Sequence, residues 1–328
     1  MKLKYISFFL LPLLLTSCRD NNTIDYSKMN LLLLPSGAPT ITMYQTICDN
    51  KDNDENVRIE TTTSNIPSQF AADNFKYIIF DANNGLNQAN KSGKYTFLKL
   101  LTGGNFHLVR LASENEYPTN EDYILGFGTD AQIPNKAYNK LYPDAPFDYS
   151  FTDGVSALLG VLKTINADCT IGDNSNIDKN EKIDWVFIAQ PALFNLINSE
   201  GNFKDLYNPQ YDYEVRKLFN EKFPEFDYIA QAGLFVNTSY YENNKEEVEE
   251  FLNSVNIQLD NAINHPDIVA NTMDSFSSDL KVQQNKFGFN KNIVLNLQKD
   301  EINQFGVVDP NYEFNEEDLV NFNNFLNS

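Results

Sequence analysis

The chain has 328 residues, 42% of them hydrophobic, with 25 Lys and Arg against 45 Asp and Glu, a formal net charge of −20. That length and apolar content suffice for a large core in one or two domains. The acidic balance, with no run of Lys or Arg, excludes nucleic-acid binding, which needs a basic stripe to meet phosphates, and three Cys with two His do not make a typical structural zinc site.

Lys2 and Lys4 precede an apolar run from Tyr5 to Leu15, shorter than the roughly 20 residues of a membrane-spanning helix. The pattern predicts a secretory signal peptide over residues 1–17. Its end, Leu15-Thr16-Ser17-Cys18, resembles the lipobox of bacterial lipoproteins, which implies that Cys18 carries a lipid of the palmitate type. Residues 18–28 hold few apolar side chains and read as a lipidated tether.

Short apolar strands follow at Asn30 to Leu34, Tyr77 to Asp81, His107 to Leu111, Ile124 to Phe127, Trp185 to Ala189 and Gly233 to Val236. Strands alternating with helix-like segments predict an α/β fold with mainly parallel sheets. Several leave through small or polar turns: "PSGAPT" after the first, "ANNGLN" after the second, "GTDAQIPN" after the fourth and "QPALFN" after the fifth. Ligands of open α/β sheets sit beyond the carboxyl ends of the strands. Ser36, Gly37 and Ala38 leave room for one, and Pro39 suits a first helical turn. Free N–H groups there would face a polar or anionic ligand; a tight turn without a ligand is the competing reading of this stretch.

The order of these segments resembles the substrate-binding proteins of ABC transporters, in the nitrate, sulfonate and thiamine-precursor branch of the type II periplasmic-binding-protein fold. "LLPSGAPTITMY" is similar to the family's opening strand and turn, and the segment from "FAADNFKYIIF" to "TGGNFHLV" to its next unit. "ILGFGTDAQIPNKAYNKL" and "IDWVFIAQPALFNLI" resemble the second lobe's contributions to the cleft, and "IAQAGLFVN" the return crossing. The resemblance implies two lobes, each a mainly parallel sheet flanked by helices: residues 29–117 with 229–328, and residues 118–228. A polar linker at residues 114–121 and a crossing at 223–233 would form the hinge, and closure about it would trap the ligand. Two departures stand out. Gly103-Gly104-Asn105 lacks the expected aromatic wall, and the loop 166–184 is long and polar without the register of an EF-hand.

Val248, Phe251, Leu252, Val255, Leu259 and Ile263 recur at helical spacing, as do Leu319, Phe322 and Phe325, which predicts two packing helices. Cys48 would sit in lobe one and Cys169 in lobe two. A bridge needs Cα atoms within ~7 Å and would hinder closure, so two free thiols are expected.

The candidate ligand contacts are Ser36, Gly37, Ala38, Thr40, Asn83, Asn84, Gly85, Gly104 and Asn105 from lobe one, and Thr129, Asp130, Gln132 and Gln190 from lobe two. Tyr44, Phe127, Tyr138 and Phe151 are candidates for stacking. No Arg or Lys falls on an exit, although a small dianion usually recruits Arg. A neutral or cationic organic solute is therefore expected. Asp130 fits that expectation if it faces the cleft, and caps a helix if it does not.

The function implied is a monomeric solute-binding protein of an ABC importer, without metal or cofactor, exported and lipid-anchored on the outer face of the cell membrane beside a permease. Two alternatives remain: a surface lipoprotein of the same fold that contacts host or matrix molecules, and an enzyme of thiamine-precursor or menaquinone synthesis. His107 and His265 complete no recognisable nucleophile triad.

Overall fold

The computed structural model describes residues 26–172, 177, 181–299 and 303–328. The expected signal peptide, Cys18, most of the tether and part of the loop 166–184 lie outside the described residues. Ten strands are present among the described residues: β1 (Asn30–Pro35), β2 (Val57–Glu60), β3 (Phe75–Asp81), β4 (Tyr95–Thr102), β5 (Phe106–Arg110), β6 (Ile124–Phe127), β7 (Tyr149–Phe151), β8 (Trp185–Ala189), β9 (Asp212–Glu214) and β10 (Ala232–Asn237). They form two five-stranded sheets, ordered β2-β1-β3-β10-β4 and β7-β6-β8-β5-β9.

The sheets share one plan. Three strands run parallel, and the fourth is antiparallel to both of its neighbours. Each sheet is thus mixed rather than simply parallel, and the reversed strand is the one that brings the chain in from the other lobe. β5 arrives from lobe one and β10 from lobe two.

This plan moves the first crossing. It was expected near residues 114–121, but β5 already pairs with β8 and β9, so the chain has changed lobes by Asn105. Gly104 makes the passage possible. Its φ is 116°, and a Cβ there would lie 2.9 Å from Cβ of Arg216. Gly306 packs against it just as closely, since its own Cβ would stand 2.8 Å from the Gly104 carbonyl carbon.

The apolar runs become central strands because both faces of the sheet are covered. Along β1, Leu33 belongs to one hydrophobic cluster and Leu32 and Leu34 to the other, all without solvent exposure. Ile78 and Phe80 of β3 likewise face one side, and Tyr77 and Ile79 the other. The expected packing helices are present at Lys245–Asn264 and Glu316–Asn327, with Val248, Val255, Leu259, Leu319 and Phe322 buried.

The C-terminal helix does not stay with lobe one. Phe314 lies against Phe97 of β4, but Phe322 and Phe325 pack on Phe219, Phe223 and Phe226. Lys136 and Lys140 of the Ile133–Leu141 helix donate to Asn327 and Ser328. Residues 314–328 therefore strap one lobe to the other.

The last residues of the expected tether are also docked: Tyr26 starts a 3-10 turn, and its hydroxyl donates to the Ser239 carbonyl at 3.0 Å. Cys48 and Cys169 are free thiols. Among the described residues no helix is long and apolar enough to cross a membrane.

Candidate ligand-binding cleft

A cavity of about 190 Å³ lies where the two sheets face each other. Its walls are the carboxyl ends of β1 and β3 from one lobe and of β6 and β8 from the other, through Pro35, Phe80, Phe127 and Ala189. The segments after β2 and β7 add Thr63 and Gly154. Asn105 and Gln231 enter from the two crossings, because reversed strands present their amino ends where the others present carboxyl ends.

Six expected contacts line this cavity: Ser36, Gly37, Ala38, Asn105, Gln132 and Gln190. Phe127 is the one expected aromatic among the lining residues; Tyr44 and Tyr138 are buried in the cores, and Phe151 packs edge-on against Tyr149. The remaining expected contacts do not line the cavity, each for a local reason. Thr40 is fully buried and donates to the carbonyls of Phe287 and Gly37. Asn83, Asn84 and Gly85 sit in the first turn of the Ala82–Ser92 helix rather than in a loop. A Cβ on Gly85 would stand 2.3 Å from the Phe235 ring, so this glycine serves packing. Gly104 serves the crossing. Thr129 and Asp130 are exposed, because the helix after β6 begins only at Ile133 and the intervening loop turns them to solvent. His107 is also away from the cavity: its Nδ1 lies 2.7 Å from Asp212 Oδ1, and Tyr207 donates to the same carboxylate, tying β5 to β9.

The first exit offers fewer donors than expected. The Ser36 amide donates to the Glu60 carbonyl and the Gly37 amide to the Phe287 carbonyl. Neither N–H remains for a ligand.

Asp81, at the end of β3, was not among the expected contacts. It lines the cavity and serves two helices at once. One carboxylate oxygen accepts from the Asn84 amide at 2.9 Å and caps the Ala82–Ser92 helix. The other accepts from the Ile133 amide at 3.1 Å, at the start of the Ile133–Leu141 helix of lobe two. A fixed carboxylate thus occupies the electropositive ends of two helices that point at the cleft. Burial pushes its pKa up to about 6, against the lowering effect of the amides of Asn84, Ile133 and Asn83 and of the Lys136 charge.

Asp81 is one of several ties between the lobes. Asn83 donates across the cleft to the Ala131 carbonyl, and Gln190 donates to Gln304 at 3.2 Å while accepting from the Phe194 amide. At the floor, Gln231 Oε1 accepts from the Gly104 and Asn105 amides. Asn105 is 3% exposed, and its Nδ2 donates to the Gln190 carbonyl. A carbonyl can only accept, which fixes the amide orientation and leaves Oδ1 as the free end. That buried oxygen has no partner. Among the described residues no cluster of three or more His, Cys, Asp or Glu stands ready for a metal ion.

No protein-family profile matches the sequence, and no curated protein is similar to it in sequence. Solved structures do match in shape. The periplasmic aliphatic sulphonate binding protein SsuA from Escherichia coli aligns with a TM-score of 0.53 at 9% identity, over 92% of this chain and 91% of that one. The ligand-binding component of an ABC-type import system from Staphylococcus aureus, with zinc bound, gives 0.52 at 6% identity over 80% and 84%. A putative sulfonate ABC transporter protein from Methylobacillus flagellatus gives 0.51 at 8% identity over 90% and 86%. Likeness at such identity is likeness of fold: the chain has the two-lobed α/β fold of the periplasmic binding proteins, with its cavity between the lobes.

Proposed function

We propose that this protein is the solute-binding component of an ABC importer, exported, held at the outer face of the cell membrane through Cys18, and acting as a monomer beside its permease. The observation that carries the reading is the cavity of about 190 Å³ walled by strand ends of both lobes, the position at which α/β sheets hold ligands. No reaction is required of it. An open form admits the solute, contacts from both lobes hold the closed form, and the solute shifts the balance by preferring that form. Drug-sized ligands occupy roughly 300–1,000 Å³, so the solute is a small one. Export and anchoring rest on the order of charge, apolar run and cysteine at the amino end.

Differential scanning fluorimetry of the mature chain against a broad panel of small metabolites tests this. A solute at about a hundred times its Kd adds about 2.7 kcal/mol of stability to the form it binds, which appears as a raised Tm. Solutes that stabilise it, and lose their effect when Asn105 is replaced by Ala, support capture in the cleft. A panel without a single stabilising member contradicts it.

A further inference from the structure

We propose that the cleft takes a small organic ammonium solute, its charged nitrogen on the Asp81 carboxylate and a further N–H or O–H donor on Asn105 Oδ1, and that it rejects sulfonates and other anions. This rests on the capture reading and adds the chemistry of what is captured.

Anion sites of proteins are built from helix amino ends, free backbone N–H groups and Arg. At the strand exits from lobe one most of these are spent or missing. The Ser36 and Gly37 amides are bonded to backbone carbonyls. The amino ends of the Ala82–Ser92 and Ile133–Leu141 helices already share one anion, the Asp81 carboxylate. No Arg or Lys is among the described residues lining the cavity. A sulfonate placed there would meet Asp81 with like charge and no counter-ion, a costly arrangement in a buried site.

Two acceptors of the cavity wall are short of donors. Asp81 accepts from Asn84 on one oxygen and from Ile133 on the other, with the Asn83 amide a further donor, while an ionised carboxylate has about four lone-pair positions. Asn105 Oδ1 is a buried acceptor with none of its positions filled, and such a group costs about 1–3 kcal/mol until a donor arrives. A ligand that brings donors removes that cost. Phe80, Phe127 and Val155 supply apolar wall for an organic body, and the net charge of −20 favours approach of a cation.

Protonation follows from the same geometry. The groups that set the ionisation of Asp81 are the amides of Asn83, Asn84 and Ile133 and the Lys136 charge, opposed by burial, and they leave it titrating at about 6. An ammonium ion pairs with the ionised form, so its affinity should fall as pH drops below about 6.

The test is binding, by scanning fluorimetry and calorimetry, of matched probes to the mature chain: n-butylamine, piperidine and benzylamine against butane-1-sulfonate and benzenesulfonate, with butan-1-ol and benzyl alcohol as neutral members. Amines should bind at about pH 7.5 and weaken about tenfold by about pH 5. Removing a charged hydrogen-bond partner with Asp81→Asn should cost about 10- to 100-fold in amine affinity. The pH series on unaltered protein keeps the test valid if the variant folds poorly. Stabilisation by sulfonates or alcohols with none from amines overturns the ammonium assignment and leaves capture standing, as does amine binding that ignores both Asp81→Asn and pH. No response from these probes or from the broad panel overturns both.

Discussion

The carboxylate of Asp81 accepts the backbone N–H of Ile133 across the cleft at 3.1 Å, while its other oxygen caps the helix of its own lobe at Asn84. One side chain thereby ends a strand, starts a helix, joins the lobes and walls the cavity. Asn keeps the cap, being as good an N-cap as Asp, but its single oxygen cannot serve both amides. Asp81→Asn should therefore weaken the closed form. Small-angle scattering of the variant without solute should give a larger radius of gyration than the parent; identical profiles would contradict the tie.

The same residue sets a pH dependence of folding. Its folded pKa, about 6, lies above the ordinary 3.8. Its contribution is then fully present below about pH 3.9 and is lost as pH rises through about 6. Relative to Asp81→Asn, the unaltered protein should lose on the order of 2 kcal/mol between about pH 4 and pH 7.5. Urea denaturation of both proteins at the two pH values measures this, and parallel curves would contradict it.

Gly85 looks like a loop glycine in the sequence and is a packing glycine in the fold. Gly85→Ala puts a methyl 2.3 Å from the Phe235 ring, so it should cost about 1–3 kcal/mol of stability through overpacking. Solute affinity of the folded fraction should be unchanged. An undiminished Tm with lost binding would return Gly85 to the cleft.

Much of the fold was legible because a doubly covered strand needs an unbroken apolar run. The six expected strands fall within β1, β3, β5, β6, β8 and β10 to a residue or two. β2, β7 and β9 went unseen because edge strands of three or four residues, such as Asp212–Glu214, carry no such run, and β4, an eight-residue edge strand, because Thr96 and Lys99 interrupt its apolar residues. The lobe boundary was not legible either, since nothing in "NFHLVR" says which sheet it joins.

Within the cleft, the small-residue exit puts Ser36 to Ala38 in the cavity wall, but whether the Gly37 amide was free depended on Phe287, some 250 residues away, and the Ser36 amide on Glu60 of the neighbouring strand. Asp81 closes the run "YIIFD" and passes in the sequence for the end of a strand, although it also caps the helix that begins at Ala82. Its second bond, to Ile133, exists only once the lobes meet. Thr129 and Asp130 misled because a strand exit looks the same whether its loop turns inward or to solvent.

The C-terminal strap has its own test. Phe322 is fully buried against Phe219 and Phe226. Phe322→Ala should cost about 3–5 kcal/mol. It should also raise hydrogen exchange in the Ile133–Leu141 helix, where Lys136 and Lys140 hold the last residues. Unchanged exchange there would mean that the strap does not join the lobes.

Closure on a solute is tested most directly by the distance across the mouth of the cleft. Asn65 and Asp153 are exposed beside Thr63 and Gly154, one in each lobe. With Cys18, Cys48 and Cys169 replaced by Ser, Asn65→Cys and Asp153→Cys carry spin labels for pulsed electron resonance. Capture predicts a broad distance distribution without solute that shortens and narrows when the best-stabilising solute is added. A distribution that the solute leaves unmoved would contradict it.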